Sequence, residues 1–304
     1  MKRIVFPILT LFMLASCTKQ EAMLSSGQTE ERDSLAFQVA VLPVMDCLPI
    51  FYAHDMGYFD SVGVDVRLLE YRAEMDLDTA LARKHAHLGY TSLPRLLMME
   101  RAGDTLLPQA ALPGRIALLT AHSKRIRNLK QLEERMVGID RHSAADYWSD
   151  QIMVEAGLPQ AAIYRPQIND LPLRTSMLTS QLIDAALLPE PYATQAWLQG
   201  NRKIFETPDS ALPLQCLAMP SLWTCDSLRT AQQKLFVEAY KHAILQLNNA
   251  PQQEILRNIL KQRYALDHAV IDSLRLPHFA PLAPPNENAW RKTKDWLNDR
   301  LKIK

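Results

Sequence analysis

Short apolar runs and amphipathic stretches alternate along the chain from about residue 35 to residue 213. Residues 35–43 are rich in Val and Ala and end at a proline, which is typical of a buried strand. Residues 49–57 have proline near their start and glycine at their end, which predicts a helix. The same pattern predicts further strands at 64–71, 86–92, 115–121, 136–140, 162–168, 183–191 and 203–206. Further helices are predicted at 75–83, 94–102, 128–135, 143–156, 172–181 and 192–199, and in the tail at 228–248, 252–263 and 288–301.

Strands that alternate with helices favour parallel sheets with crossover helices. The pattern starts twice, so we expect an α/β fold of two lobes, the first at 35–121 and the second at 122–213. The apolar stretch 212–224 predicts a strand that returns to the first lobe. Residues 214–304 comprise this return and the C-terminal helices, which we expect to pack on the first lobe. Two connections between the lobes would form a hinge with a cleft, where the carboxyl ends of the strands receive a ligand.

The N-terminal end of the chain has the pattern of a targeting segment. Lys2 and Arg3 precede an apolar run that is shorter than the roughly 20 residues needed to cross a bilayer. The run ends in Leu-Ala-Ser before Cys17, which resembles a bacterial lipobox in which that cysteine becomes lipidated. We therefore expect a signal peptide at 1–16. Residues 17–34 are polar and predict a flexible tether between the lipid and the folded body.

Composition and charge exclude several classes of function. The net charge is +1, and without Lys2 and Arg3 it is −1 (1 − 2), so no basic excess indicates nucleic-acid binding. Four cysteines are present, and the sequence is compatible with a disulfide between Cys216 and Cys225 but does not establish it. No cysteine and histidine spacing is typical of a zinc site, and we expect neither a metal nor a cofactor.

Four blocks in order resemble periplasmic solute-binding proteins of the sulfonate, nitrate and thiamine-precursor type. They are DCLPIFYAHDMGYFDSVGVDVRL, LARKHAHLGYTSLPRLL, VGIDRHSAADYW and LIDAALLPEPYATQA. The second block departs from the family pattern, because Lys-His-Ala-His stands where glycines are usual. The resemblance implies a type II periplasmic binding fold. It also implies a monomeric receptor, lipid-anchored on the periplasmic side of a membrane, that delivers a small-molecule ligand to an ABC permease and its ATPase.

Loops at the carboxyl ends of the predicted strands supply the candidate ligand-binding residues. A helix N-terminus at Ser143 would present N–H groups to a polar ligand. The carboxylates of Asp46 and Glu190 suit a ligand with donor groups. The full set comprises Asp46, Cys47, Tyr71, Arg72, Tyr90, Thr91, Ser92, His142, Ser143, Ala144, Asn169, Glu190 and Tyr192.

Each candidate also has a structural interpretation. Ser143 is equally consistent with a plain N-cap, Glu190 with bonds inside its own loop, and the tyrosines with packing between lobes. Cys47 is consistent with a nucleophile that meets His142, although buried cysteines are usually inert. A thiamine-precursor-like ligand is favoured. The alternatives are sulfonate-like or nitrate-like anions, a lipoprotein without an importer, and an enzyme on the same fold of the menaquinone-pathway or pyrimidine-synthase type.

Overall fold

Two mixed sheets form the framework of the protein, as seen in a computed structural model that describes residues 35–208 and 210–302. All the elements below belong to the compact unit Phe37–Lys304. The predicted signal peptide and tether, residues 1–34, lie outside the described residues. Among those described, no helix combines the length and apolar content that crossing a membrane requires.

The first sheet has five strands in the order β2-β1-β3-β9-β4. Strands β1 and β2 are parallel, as are β1 and β3, whereas β9 runs antiparallel to both β3 and β4. The strands are β1 Phe37–Val41, β2 Val66–Glu70, β3 Leu88–Ser92, β4 Leu106–Leu112 and β9 Gln215–Pro220. The return of the chain to the first sheet through β9 was predicted. The antiparallel pairing was not, because a strand that arrives from the other lobe carries no sequence mark of its direction.

The second sheet has four strands in the order β6-β7-β5-β8. They are β5 Ile116–Thr120, β6 Val137–Gly138, β7 Ala185–Pro189 and β8 Arg202–Glu206. Strand β5 pairs antiparallel with both β7 and β8, and only β6 and β7 are parallel. The sequence analysis placed β5 in the first lobe, but β5 pairs only with strands of the second sheet. The chain therefore crosses between the sheets at residues 113–115, and not after residue 121 as predicted.

Strand β4 was missed and two predicted elements are shorter than expected. Strand β4 contains Pro108, which lowers its strand signal, and it lies at the edge of the sheet, where a residue without an N–H is tolerated beside a bulge. The strand predicted at 162–168 forms only isolated bridges from Tyr164 and Gln167 to the β6 region. The helix predicted at 128–135 is a single 3-10 turn, Leu129–Leu132.

Helices cover both sheets, and most begin or end at residues whose chemistry predicts it. Ser143 accepts hydrogen bonds from the Ala145 and Asp146 N–H groups at the start of α5, and Gly157 ends that helix in a left-handed conformation. The helices are α1 Leu48–Asp55, α2 Tyr58–Ser61, α3 Glu74–Ala82, α4 Leu93–Ala102, α5 Ala144–Ala156, α6 Leu171–Thr179, α7 Tyr192–Leu198, α8 Ser221–Thr224, α9 Ser227–Asn249, α10 Gln253–Gln262, α11 His268–Ser273 and α12 Glu287–Lys302.

The two central strands of the second sheet, β5 and β7, are buried on both faces. Along β5, Ile116 and Leu118 pack into one apolar cluster while Ala117 and Leu119 pack into another. This follows from the two-residue period of a strand, whose successive side chains point to opposite faces. A strand buried on both sides is apolar throughout, which is why β5 and β7 are visible in the sequence.

The helical tail packs on the first sheet's helices, as predicted, and also reaches the second lobe. Helices α9 and α10 lie against α1, and α12 lies against α4. Trp296 of α12 donates a hydrogen bond from Nε1 to Asp150 Oδ2 of α5 at 2.8 Å. Arg300 also forms ion pairs with α5, to Asp146 at 3.0 Å and to Asp150 at 3.4 Å. Helix α12 therefore contacts a helix of each lobe and joins the two.

Candidate ligand-binding site

A pocket lies between the two sheets, beside the first connection that joins them. Its cavity volume is about 30 Å³, and the surrounding space, including the part open to solvent at its mouth, amounts to about 450 Å³. Apolar residues such as Leu42, Val44 and Pro189 form part of its wall. Its polar lining consists of Glu74, Tyr90, Arg115, Asp140, Ser143, Asn169, Arg174 and Gln215. Both lobes therefore contribute to one small, mainly enclosed cavity.

Glu74 is the central acidic group of the first lobe's wall. It begins α3 and is only 8% exposed. Its Oε1 accepts from Gln215 Nε2 at 2.9 Å, and its Oε2 accepts from Ser92 Oγ at 3.3 Å. Burial, and secondly the negative charge of Asp140, raise the pKa of Glu74 to about 8, although Arg95 opposes the rise. At neutral pH the Glu74 carboxyl is therefore mainly protonated.

The second lobe's wall contains a buried ion pair. Asp140 follows β6, and its Oδ1 lies 3.0 Å from the Arg174 guanidinium of α6. Arg174 is 1% exposed and donates two further hydrogen bonds, to the Ile168 carbonyl at 2.8 Å and to the Leu187 carbonyl at 3.0 Å. The positive charge of Arg174 is thus satisfied within the protein.

Gln215 occupies the floor of the pocket at the start of β9. Its Oε1 atom is buried and has no hydrogen-bond partner among the described residues. Gly114 packs against this side chain, and a Cβ on Gly114 would lie 2.7 Å from Gln215 Cγ. Gly114 also has a φ of +61°, which favours glycine. The first connection between the lobes therefore approaches Gln215 as closely as only glycine permits.

Asp46 lies behind the pocket wall and bonds to Tyr90, which lines the pocket. Tyr90 Oη donates to Asp46 Oδ2 at 3.4 Å, and the Gly114 N–H donates to the same oxygen at 3.1 Å. Burial raises the pKa of Asp46 to about 6, against the lowering effect of these two hydrogen bonds and of Arg115. The pair connects β3 to the interlobe connection and holds the Tyr90 ring at the pocket.

The N-terminus of α5 faces the pocket through Ser143, Ala144 and Ala145. Ser143 Oγ accepts from the Ala145 N–H at 3.0 Å and from the Asp146 N–H at 3.3 Å. It also donates to the Asp140 carbonyl at 2.8 Å. Two of the first-turn N–H groups that could bind an anion are thus already occupied by the N-cap.

Three contacts close the cleft around the pocket. Arg72, after β2, forms an ion pair with Asp170 at 2.9 Å, and the Arg72 carbonyl accepts from the Leu171 N–H at 3.2 Å. The Met45 N–H donates to the Glu190 carbonyl at 3.0 Å. The two lobes therefore touch on either side of the cavity, which is the arrangement of a hinged pair in its closed state.

Comparison with known proteins identifies the family. The family model described as "NMT1/THI5 like" matches residues 45–254, more than two thirds of the chain. The chain belongs to the NMT1/THI5-like family. The matched range includes every strand of the two sheets except β1, and every polar residue named in the pocket. None of the curated protein sequences matches the chain.

Solved structures of binding proteins share the fold. The periplasmic aliphatic sulphonate-binding protein SsuA of Escherichia coli aligns with a TM-score of 0.69 and 19% identity, covering 87% of each chain. The alkanesulfonate-binding protein SsuA of Xanthomonas axonopodis pv. citri, bound to MOPS, aligns with a TM-score of 0.73 and 15% identity, covering 86% of this chain and 90% of that one.

The periplasmic nitrate-binding protein NrtA of Synechocystis PCC 6803 aligns with a TM-score of 0.70 and 12% identity, covering 86% of this chain and 80% of that one. At such identities the likeness concerns the fold alone. The predicted fold class is confirmed: this NMT1/THI5-like protein has the two-lobed α/β type II periplasmic binding fold.

Four of the thirteen candidate residues line the pocket of this family member: Tyr90, Ser143, Ala144 and Asn169. Three others contact the groups that form or support its wall. Asp46 bonds to Tyr90, Ser92 bonds to Glu74, and Thr91 Oγ1 donates to Asp78 Oδ1 at 2.7 Å.

The remaining candidates lie outside the residues that line the cavity. Arg72 and Tyr71 lie at the end of β2 near the cleft mouth, and Tyr192 is buried at the start of α7. The His142 N–H donates to Asp146 Oδ2 at 2.9 Å. Glu190 Oε2 accepts from the Thr194 N–H at 3.0 Å, and burial raises the pKa of Glu190. That bond matches the structural interpretation of a carboxylate used inside its own loop.

Cys47 lies in a 3-10 turn before α1 and has no exposed surface. Burial is the main cause that raises the pKa of its thiol, and the charges of Asp46 and Glu74 add to the effect. A thiol with a raised pKa holds its proton, so little thiolate is available for attack. The Cys47 environment is that of an inert core residue. Cys216 is buried, Cys225 is exposed, and both are free rather than disulfide-bonded.

Sequence reasoning missed five polar residues of the pocket: Glu74, Arg115, Asp140, Arg174 and Gln215. Gln215 carried a usable signal, because it is polar within an otherwise apolar stretch. Asp140 ends a predicted strand one residue before the loop that was selected. An acidic residue in the first turn of a helix, such as Glu74, is common for reasons of helix stability and indicates no site. Within the described ranges, no group of three or more His, Cys, Asp or Glu side chains could hold a metal ion.

Proposed function

We propose that this protein is a membrane-tethered solute-binding lipoprotein that captures a small polar or heteroaromatic nutrient and delivers it to an ABC importer. A thiamine-precursor-like ligand, meaning a small amino-bearing ring, is the favoured class. The observation that carries this proposal is the enclosed interlobe pocket with the carboxyl of Glu74 and the unpaired acceptor of Gln215 in its wall. Family membership and the binding functions of the similar structures support it.

The polar groups of the pocket favour a ligand with N–H donors over an anion. Glu74 and Asp140 both contribute carboxyl groups, and Gln215 contributes an acceptor. Arg174 is bonded to Asp140 and to two carbonyls. An anion would meet the Asp140 carboxylate and would have to displace existing bonds, whereas a donor group can bind without displacing any.

Anion binding is the second candidate, because one feature favours it. Ala144 and Ala145, at the N-terminus of α5, line the pocket together with Arg115. A helix N-terminus and a guanidinium both attract a sulfonate or a nitrate. The similar structures named above include binding proteins for such ligands, and the two classes are therefore tested together.

The decisive measurement is mass spectrometry of small molecules released from the purified protein, followed by titration calorimetry with 4-aminopyrimidine, ethanesulfonate and nitrate. We expect heat of binding with 4-aminopyrimidine and none with the two anions. Tight ethanesulfonate binding without affinity for 4-aminopyrimidine would transfer the assignment to the anion class. Asn169→Ala should weaken the preferred ligand with little change in melting temperature, because Asn169 is a partly exposed residue of the pocket wall.

The tether is tested separately. Cys17→Ala removes the predicted acceptor of the lipid, and we expect the variant to leave the membrane fraction while its pocket keeps the same ligand affinity. Cys225→Ala is the matched control, because Cys225 is an exposed free cysteine far along the chain. Equal membrane association of the unsubstituted protein and Cys17→Ala would show that the anchor is assigned wrongly.

A further inference from the structure

One corner of the pocket presents a carboxyl and an unpaired amide oxygen side by side. Gln215 Nε2 donates to Glu74 Oε1 at 2.9 Å, which fixes the amide, and Gln215 Oε1 remains without a partner among residues 35–208 and 210–302. Both residues are 8% exposed. A buried acceptor without a protein partner is unfavourable, so this corner of the pocket favours a ligand that brings one N–H or O–H donor to it.

The orientation of this pair is fixed by its surroundings. Ser92 Oγ donates to Glu74 Oε2 at 3.3 Å, and the Arg95 guanidinium lies 3.8 Å from the same oxygen. Gly114 packs against the aliphatic part of Gln215. Because Oε1 and Nε2 belong to one planar amide, holding Nε2 on Glu74 also holds Oε1 in place beside the carboxyl.

The charges around Glu74 make its carboxyl a donor as well as an acceptor. Burial and the nearby Asp140 charge raise the pKa of Glu74 to about 8, Asp78 adds to this, and Arg95 and the Gln215 amide oppose it. At neutral pH the group is therefore mainly a carboxylic acid. A carboxylic acid beside a carbonyl-type acceptor is complementary to a ring nitrogen beside an amino group.

We infer that Glu74 and Gln215 form a subsite for an amino-substituted nitrogen heterocycle, in which the ring nitrogen faces the Glu74 carboxyl and the adjacent amino group faces Gln215 Oε1. The inference rests on the proposed function and deepens it. The proton of Glu74 moves to, or is shared with, the ring nitrogen, and the amino N–H bonds to the amide oxygen; no covalent bond other than O–H and N–H changes. An amine without the ring nitrogen satisfies only one half of the subsite.

A ligand series on the unmodified full-length protein tests the subsite without any variant. Calorimetry would compare 2-aminopyridine, in which the two nitrogens are adjacent, with pyridine, aniline and ethanesulfonate. We expect pyridine and aniline each to bind at least about tenfold more weakly than 2-aminopyridine, the size of one lost buried hydrogen bond. Equal affinity of 2-aminopyridine and pyridine would overturn the inference, as would the absence of binding by all three rings.

Two variants then assign the effect to the named side chains. Gln215→Met removes the acceptor at similar volume, and Glu74→Gln removes the acidic proton; each should weaken 2-aminopyridine at least about tenfold. The matched control is Asp76→Asn, an exposed residue on the same helix outside the pocket, which should bind normally. Normal binding by both pocket variants would overturn the subsite while leaving the proposed function intact. Binding of ethanesulfonate alone would overturn both.

Discussion

Arg174 provides a stringent test of the buried ion pair that builds the second lobe's side of the pocket. Its guanidinium donates to Asp140 Oδ1, to the Ile168 carbonyl and to the Leu187 carbonyl, at 2.8–3.0 Å. These acceptors come from three separate segments around β6 and β7. One side chain from α6 therefore ties the carboxyl ends of two neighbouring strands together.

Arg174→Met should lower the free energy of unfolding by about 3–5 kcal/mol, the usual cost of removing one partner of a buried pair. Methionine retains most of the packing of the arginine stem, so the loss comes mainly from the polar groups. Asp140 is 7% exposed and would keep a buried charge without its partner. At roughly 2–4 °C per kcal/mol for a protein of this size, the melting temperature should fall by about 6–20 °C.

The assay is urea unfolding followed by circular dichroism, with the matched control Arg257→Met. Arg257 pairs with Asp272 at 2.7 Å, but the two side chains are 53% and 56% exposed, so we expect a loss of about 1 kcal/mol or less. Adding Asp140→Asn to Arg174→Met should restore part of the stability, because it removes the unpaired charge. If Arg174→Met costs no more than the control, the account of the buried pair is wrong.

Three further predictions concern other parts of the fold. Burial lowers the pKa of His87 from 6.5 to about 4. The unfolded chain therefore binds the proton more tightly than the folded chain, and the free energy of unfolding falls as the pH drops from about 6.5 to 4. Urea unfolding of His87→Asn over this pH range should show a shallower fall. Gly114→Ala should destabilise the protein and weaken ligand binding, because the added Cβ would lie 2.7 Å from Gln215 Cγ. The control is Gly63→Ala, where φ is +84° and the space around the Cβ is open. It should lose only about 1–2 kcal/mol of stability through backbone strain and should bind normally. Trp296→Phe should lower the free energy of unfolding by about 1–3 kcal/mol, because Asp150 Oδ2 loses the indole N–H that donates to it at 2.8 Å. A melting temperature equal to that of the unsubstituted protein would contradict the joining of the lobes by α12.

The extent to which the site was predictable follows from where its residues lie. Ser143 and Ala144 were found because an N-cap before an amphipathic run marks a helix start, and Tyr90 because it lies near the end of a buried strand. Glu74 and Gln215 were missed because they are 141 residues apart and meet only when β9 returns to the first sheet. No local pattern encodes such a meeting.

Local chemistry determined the elements of this protein, their order and the two-lobed class. Short continuous apolar runs, prolines near helix starts and glycines at helix ends act over a few residues, and they can be seen directly in the chain. The Gly57-Tyr58-Phe59 turn and the run of β7 are of this kind.

Tertiary structure decided the direction of β9, the transfer of β5 to the second sheet and the chemistry of the pocket. These depend on pairings between distant segments and on burial, which raises the pKa of Glu74 and of Cys47 for the same reason. Burial makes the first a proton-bearing ligand group and the second an unreactive thiol. The difference lies in what each faces: Glu74 lines the pocket, whereas Cys47 is enclosed in the core.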